Sequence, residues 1–326
     1  MNEMHLARQG LTSEPIRKGF GRGLLEAAKL NENVVAACAD LTESTQMHLF
    51  AEAYPERFVE IGVAEQNLVT VGSGLASMGK IPFVSSYAAF NPGRNWEQIR
   101  TTIALNNQPV KIIGSHAGLY TGADGATHQM LEDISIMRAM PNMVVIVPGD
   151  SIEAAKATLA MAADKRPNYM RLAREATPVL TTERTPFQIG RAYIFRNGSD
   201  ISLIATGTMT YQAMVAAAAL AKDGVRAEVV HVPTIKPIDH QVILSSAERT
   251  KHVVTIEEGQ INGGLGGAVA ELLGENLPTS MIRVGMNDRF GESGRPDELL
   301  KHFGLTANHI TMTAHRLLMD HAGHKH

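Results

Sequence analysis

Short β-branched apolar runs alternate with Ala- and Leu-rich stretches along most of the chain. In the first half the strand candidates are Val34–Cys38, Phe58–Val63, Pro82–Ser86, Pro109–Ser115, Met143–Val147 and Tyr169–Leu172. The helix candidates are Gln66–Met78, Trp96–Leu105, Met130–Met140 and Ser151–Ala163, the last with Ser151 as its cap and Glu153 in its first turn. Strands that are apolar nearly throughout, joined by helices, specify a parallel sheet covered on both faces. The polar, proline-containing stretch Thr181–Pro186 interrupts this rhythm. A second set follows, with strands Ile201–Ala205, Ala227–Val232, His252–Glu257 and Ser280–Val284 and helices Tyr211–Lys222, Gly266–Leu273 and Pro296–His302. The expected architecture is α/β, two doubly wound domains at residues 1–184 and 185–326.

Composition narrows the function classes. The chain of 326 residues is 44% hydrophobic and 19% charged, with a net charge of −3. It can bury a large core, and it has neither the profile of a disordered chain nor the charge of a protein held to nucleic acid by bulk electrostatics. The single cysteine, Cys38, excludes an internal disulfide framework and a cysteine-based zinc site, and its apolar flanks read as core. No window reaches the ~18–20 apolar residues of a membrane-spanning helix. Met1–Gly10 lacks the apolar segment of a signal peptide, so the expected location is cytoplasmic. The tail His321–His326 reads as a frayed terminus, with adventitious metal binding as its alternative.

In open α/β sheets ligands bind beyond the carboxyl ends of the strands. The polar residues of the first half concentrate there: Asp40–Thr45, Ala64–Gln66, Tyr87–Trp96, His116–Gln129 and Arg174 would all share one rim. Glu65 stands at a strand-to-helix junction between apolar runs. It is either a first-turn carboxylate favoured by the helix dipole or a carboxylate of raised pKa that shares a proton with a ligand. Tyr87, Phe90 and Trp96 cluster around Asn91-Pro92-Gly93, either as core or as a pocket for a flat heterocycle. The loop Ser115–Gln129 holds three glycines, two histidines and Asp124, without the helical His–carboxylate spacing of a metal site. Arg17, Arg171 and Arg174, with Ser44 and His116, are either surface cations or a pocket for a phosphate-sized anion. Asn262–Gly267 superficially resembles a dinucleotide turn, but its spacing fits tight helix–sheet packing better.

Arg17-Lys18, Ala39–Ser44, Gly62–Asn67, Gly122–Gln129, Pro141-Asn142 and Pro148–Asp150 run in the order seen in transketolases, and related deoxyxylulose-phosphate synthases share much of it. The chain resembles that family over essentially its whole length, and Asp-Gly-x-Thr-His-Gln together with Ala-Glu-Gln makes the likeness specific. The likeness is to the second part of the full-length enzyme, a pyrimidine-binding domain followed by the transketolase C-terminal domain. The Gly-Asp-Gly…Asn signature of the diphosphate domain is not supplied, because Gly122-Ala123-Asp124-Gly125 belongs to the other motif.

The chain therefore resembles the C-terminal subunit of a split transketolase. The resemblance implies thiamine diphosphate as cofactor, and magnesium (or calcium or manganese) held mainly by an N-terminal partner subunit, with no metal site on this chain. It further implies a homodimer of heterodimers and transfer of a two-carbon ketol unit from a ketose phosphate to an aldose. Glu65 would contact the pyrimidine nitrogen and share a proton that favours the imino tautomer, whose exocyclic nitrogen takes the thiazolium C2 proton. The cofactor then stores the carbanion. Phe90 would pack on the pyrimidine, completed by Tyr87 or Trp96, with Asp40 also in the cofactor set. His128 would sit at the reacting carbon, Asp124 would read a sugar hydroxyl, and Arg17, Ser44, His116 and Arg174 would hold the sugar phosphate. The stretch Tyr87–Trp96 departs toward the synthase pattern, leaving Arg94 either structural or in contact with ligand, whereas His116 favours transketolase. Two alternatives remain: a beta subunit of a 2-oxo-acid dehydrogenase, whose loop lacks the Asp-Gly-x-Thr-His-Gln arrangement, and a non-catalytic regulatory subunit, which retention of Glu65, Asp124 and His128 disfavours.

Overall fold

The computed structural model describes residues 6, 7 and 10–322. Most of the His-rich tail, residues 323–326, and most of the segment read for a leader lie outside the described residues. Among the described residues, fourteen strands occur in chain order. They are β1 Ser13–Pro15, β2 Val34–Cys38, β3 Phe58–Glu60, β4 Ile81–Tyr87, β5 Lys111–Ser115, β6 Val144–Ile146, β7 Asn168–Arg171, β8 Ala176–Pro178, β9 Tyr193–Arg196, β10 Ile201–Ala205, β11 Ala227–His231, β12 Thr234–Lys236, β13 His252–Gln260 and β14 Ser280–Met286.

The first sheet has seven strands in the order β12-β6-β7-β5-β4-β2-β3. The six from the first half pair in parallel, and β2, β5, β6 and β7 are buried along their whole length, as apolar runs between two helical layers must be. The seventh, β12, comes from the second half of the chain and pairs antiparallel with β6. The second sheet, β14-β13-β10-β11-β9, is parallel except for the antiparallel edge strand β9. The α/β class therefore holds, but the two sheets are not self-contained: a strand of the second half closes the edge of the first. Strands of three and four residues, as β12 and β9 are, carry too little periodicity to be read from sequence.

Register decides where function can sit. Cys38 pairs with Glu60 and with Ser85, Tyr87 with Ser115, and Gly114 with Arg171. The carboxyl ends of β3, β2, β4, β5 and β7 thus finish side by side and form one rim. Beneath it Ile16, Phe20, Leu24 and Ala27 of the helix Ile16–Leu30 are buried at helical spacing. Three glycines in this helix lower its intrinsic propensity, and tertiary packing overrides them. Cys38 is a core residue, its thiol pushed up by burial. Among the described residues no helix is long and apolar enough to cross a membrane.

Three local readings need correction. Ser151 opens the helix Ser151–Ala163, but the cap is Asp150, whose Oδ1 accepts from Glu153 N at 2.9 Å. The expected helix Trp96–Leu105 is one α-turn, Trp96–Gln98, that widens into π-type turns over Ile99–Ala104. The expected helix Met130–Met140 is confined to Asp133–Arg138.

Candidate active site

Glu65 is the first residue of the helix Glu65–Ser77 and is 2% exposed. Its carboxylate is buried without being isolated, because Arg94 Nη1 donates to Oε2 at 2.7 Å. The same guanidinium lies over the Phe90 ring, 4.6 Å from its centroid. Glu60, which the sequence reading passed over, holds the approach to Glu65. Its Oε1 accepts from the backbone N–H of Asp40 at 2.7 Å and of Gly62 at 2.8 Å, and its Oε2 accepts from Thr42 Oγ1 at 2.9 Å. Asp40 itself is exposed on the rim with φ of 56°, in the left-handed region.

Asn91 explains how Asn91-Pro92-Gly93 places the rings. It is fully buried, and its Nδ2 donates to the carbonyls of Val84 and Ile113, pinning the loop across β4 and β5. Tyr87 and Phe90 stack at 6.3 Å, Phe90 meets His128 edge-on at 5.4 Å, and Tyr87 stacks on His116 at 3.8 Å. Trp96 is not among them. Its Nε1 donates to Ile136 O at 3.1 Å and its ring packs against the core. Five residues beyond the pinned Asn91, Trp96 already belongs to the helix that turns inward.

The far end of the rim is cationic. Arg17 Nε donates to Arg174 O at 3.2 Å, Arg17 Nη1 donates to the Ser44 carbonyl, and Arg174 Nη1 donates to Thr121 O at 2.9 Å. Burial and the neighbouring Arg174 charge draw Arg17 below the usual guanidinium value. Two like charges held together under partial burial are relieved by an anion. Asp124 stands 3.5 Å from Arg174, so this end too is paired internally. His116 is 2% exposed, and burial, Arg17, Arg174 and His128 push its imidazole down to about 3. It is neutral near pH 7, with Nδ1 engaged by Ser115 Oγ at 2.9 Å. In His128, likewise, Nδ1 meets Thr127 Oγ1 at 2.9 Å, so Nε2 is the nitrogen that can meet a ligand.

Arg171 does not join this group. It is buried in an ion pair with Asp133 and donates to the Glu258 carbonyl. The second half of the chain supports the loop through this contact. Glu258 Oε1 accepts from Tyr120 N at 2.8 Å and Oε2 from Thr208 Oγ1 at 2.7 Å. Gly118 is obligatory beneath it: φ is 76°, and a Cβ would lie 2.3 Å from Glu258 Oε1 and 2.4 Å from Arg171 Nη2. A pair of adjacent carboxylates, Glu257-Glu258, in an otherwise apolar strand was the signal for this buttress. Glu257 also answers the dinucleotide question. Its carboxylate accepts from Leu265 N and Gly266 N, both at 2.8 Å, so the helix N-terminus where a diphosphate would bind is already occupied. A Cβ on Gly264 would lie 2.0 Å from that carboxylate.

Residues 14–179 match the model of the transketolase pyrimidine binding domain and residues 190–310 that of the transketolase C-terminal domain. The chain belongs to the transketolase family. Within it, this transketolase chain corresponds to the C-terminal section. It is 46% identical over 298 residues to a Methanocaldococcus jannaschii protein named provisionally as a transketolase C-terminal section, covering 90% of this chain and 93% of that one. It is 42% identical to a 6-deoxy-6-sulfo-D-fructose transketolase subunit of Clostridium sp. MSTE9, covering 90% and 91%. A solved structure described as a split-gene transketolase, an inactive beta4 tetramer, superimposes with a TM-score of 0.88 at 41% identity, covering 94% of this chain and 98% of that one. Among the described residues of this transketolase chain, no group of three or more His, Cys, Asp or Glu side chains is arranged to hold a metal ion.

Proposed function

We propose that this chain is the C-terminal subunit of a two-chain transketolase, dependent on thiamine diphosphate, that moves a two-carbon ketol unit from a ketose phosphate to an aldose acceptor. It works in the cytoplasm with an N-terminal partner subunit that carries the diphosphate and the magnesium ion, as a homodimer of heterodimers. The observation that carries this reading is the continuity of the rim. A buried carboxylate at Glu65 leads through Phe90, Tyr87, His128 and His116 to the paired arginines Arg17 and Arg174.

The residues fit the cofactor's pyrimidine. A planar group that donates an N–H to Glu65 while lying on Phe90 is accommodated there, since the Arg94 guanidinium does both. When bound, thiamine diphosphate supplies the nucleophilic carbon and the electron sink. Glu65 holds a proton at the ring nitrogen, and its burial strengthens that contact over what water would allow. Phe90 orients the ring. His128 Nε2 moves or holds a proton at the sugar hydroxyl beside the reacting carbon, and Asp124 reads a further hydroxyl. Arg17, Arg174, neutral His116 and the Ser44 segment hold the anionic end of the sugar. Asp40, exposed at the loop tied down by Glu60, completes the proposed cofactor set. The rings that complete the pocket are Tyr87 and Phe90, while Trp96 supports the helix behind them. A sulfonate fits the same cationic end, and the Clostridium relative's name favours that as the second reading of the substrate.

The test is co-expression with the chain encoded beside it, followed by an assay of ketol transfer with thiamine diphosphate and magnesium on phosphorylated and sulfonated sugars. Activity is expected only in the mixture, and Glu65→Gln should lower turnover by ~10²-fold or more in the assembled enzyme. Substantial activity from the single chain refutes the two-chain reading. An assembled, cofactor-loaded complex inert toward both sugar classes favours a regulatory subunit instead.

A further inference from the structure

Arg94 makes two contacts that belong to different neighbours and converge on one spot. Its Nη1 donates to Glu65 Oε2 at 2.7 Å, and its guanidinium carbon lies 4.6 Å from the Phe90 centroid. Glu65 is 2% exposed, whereas the Arg94 side chain is 49% exposed, so a half-exposed cation reaches down to a buried acceptor. The loop that carries Arg94 is anchored on either side of it. Asn91 donates into the sheet, and Asn95 Nδ2 donates to the Glu65 carbonyl at 2.8 Å and to Asn91 Oδ1 at 3.1 Å. The backbone is therefore held while the side chain can swing toward solvent.

We propose that Arg94 is a built-in stand-in for the cofactor's aminopyrimidine: its guanidinium fills the slot between Glu65 and Phe90 in the empty subunit and is displaced by the ring as the cofactor binds. This rests on the assignment of Glu65 and Phe90 to the pyrimidine. The two groups share the chemistry the slot selects, a flat N–C–N unit that donates to a carboxylate in its own plane and offers a π-face to an aromatic ring. An unfilled slot would leave a buried carboxylate without a counter-charge. The stand-in avoids that in the free subunit, at the expense of apparent cofactor affinity, which is scaled by the fraction of molecules with the slot open.

The experiment is isothermal titration calorimetry of thiamine diphosphate with magnesium into the complex assembled with its partner subunit. It compares wild type, Arg94→Ala, Glu65→Gln and the double variant. Arg94→Met serves as a second variant that keeps the aliphatic stem over Phe90. Removing the guanidinium should tighten cofactor binding by about three- to thirty-fold, the combined scale of an ion pair and a cation–π contact whose cation is half exposed. That gain should shrink in the Glu65→Gln background, where the ion pair is already lost. If Arg94→Ala and Arg94→Met bind the cofactor as wild type does, or more weakly, while Glu65→Gln weakens binding, the cofactor reading stands and the stand-in is refuted. If neither Glu65→Gln nor the Arg94 variants alter binding, the placement of the ring at Glu65 is itself wrong and the inference falls with it.

Discussion

Replacing His116 by asparagine tests the electrostatics of the anion site through stability alone, without the partner subunit. The imidazole is buried, and burial with the charges of Arg17, Arg174 and His128 pushes it down to about 3. In the unfolded chain it titrates near its usual value of about 6.5. Between those values the unfolded state binds a proton that the folded state does not, so stability falls as the pH falls. The contribution is fully present above about pH 6.5 and is lost progressively toward pH 3. At about 1.4 kcal/mol per pH unit, the loss by about pH 4.5 is roughly 2–3 kcal/mol. Glu257 works in the opposite direction over an overlapping range, since burial raises its carboxyl to about 7 and the folded state there binds the extra proton. The comparison of wild type with His116→Asn cancels that and every other shared titration. Unfolding free energies from urea denaturation, at about pH 7.5 and about pH 4.5, should show the wild-type advantage shrinking by roughly 2–3 kcal/mol. An advantage that does not change with pH would mean that His116 titrates normally in the fold. The site would then hold a third positive charge instead of a neutral hydrogen-bonding group.

Two other substitutions separate binding from architecture. Arg174→Ala should raise KM for the phosphorylated substrate in the assembled enzyme with a smaller change in kcat, as loss of uniform binding does; a defect confined to kcat contradicts its place at the anionic end. Asp150→Ala removes the acceptor for Glu153 N, Leu180 N, Thr181 N and Thr181 Oγ1 at once, so denaturation should show a loss of roughly 2–4 kcal/mol, and a loss under about 0.5 kcal/mol would refute the role.

Most of the rim's membership was legible in the chain, and its wiring was not. Strand-by-strand reading located Glu65, Phe90, His116, His128 and Arg174 on one edge because polar residues after apolar strands mark the rim of a parallel sheet. Glu60 escaped notice as an ordinary edge-strand residue, although it ties the Asp40 and Gly62 turns together. Arg171 and Arg174 stand three residues apart and look alike in sequence. One ends up buried against Asp133 and Glu258, the other half-open beside Arg17. Trp96 lies close to Tyr87 and Phe90 along the chain, but the turn pinned by Asn91 sends it into the core.

The alternation of elements, the order of motifs and the rim they create are local properties of the chain, because side-chain periodicity and turn chemistry act within a few residues. Long-range packing sets the rest: Arg94 rather than solvent faces Glu65, Glu258 supports the Tyr120 loop across 138 residues of chain, and a strand from the second half completes the first sheet. These outcomes depend on register and on which charges burial brings within a few ångströms of each other. Coulomb energies at such distances vary steeply with position and with the surrounding dielectric, and no local pattern in the chain encodes either.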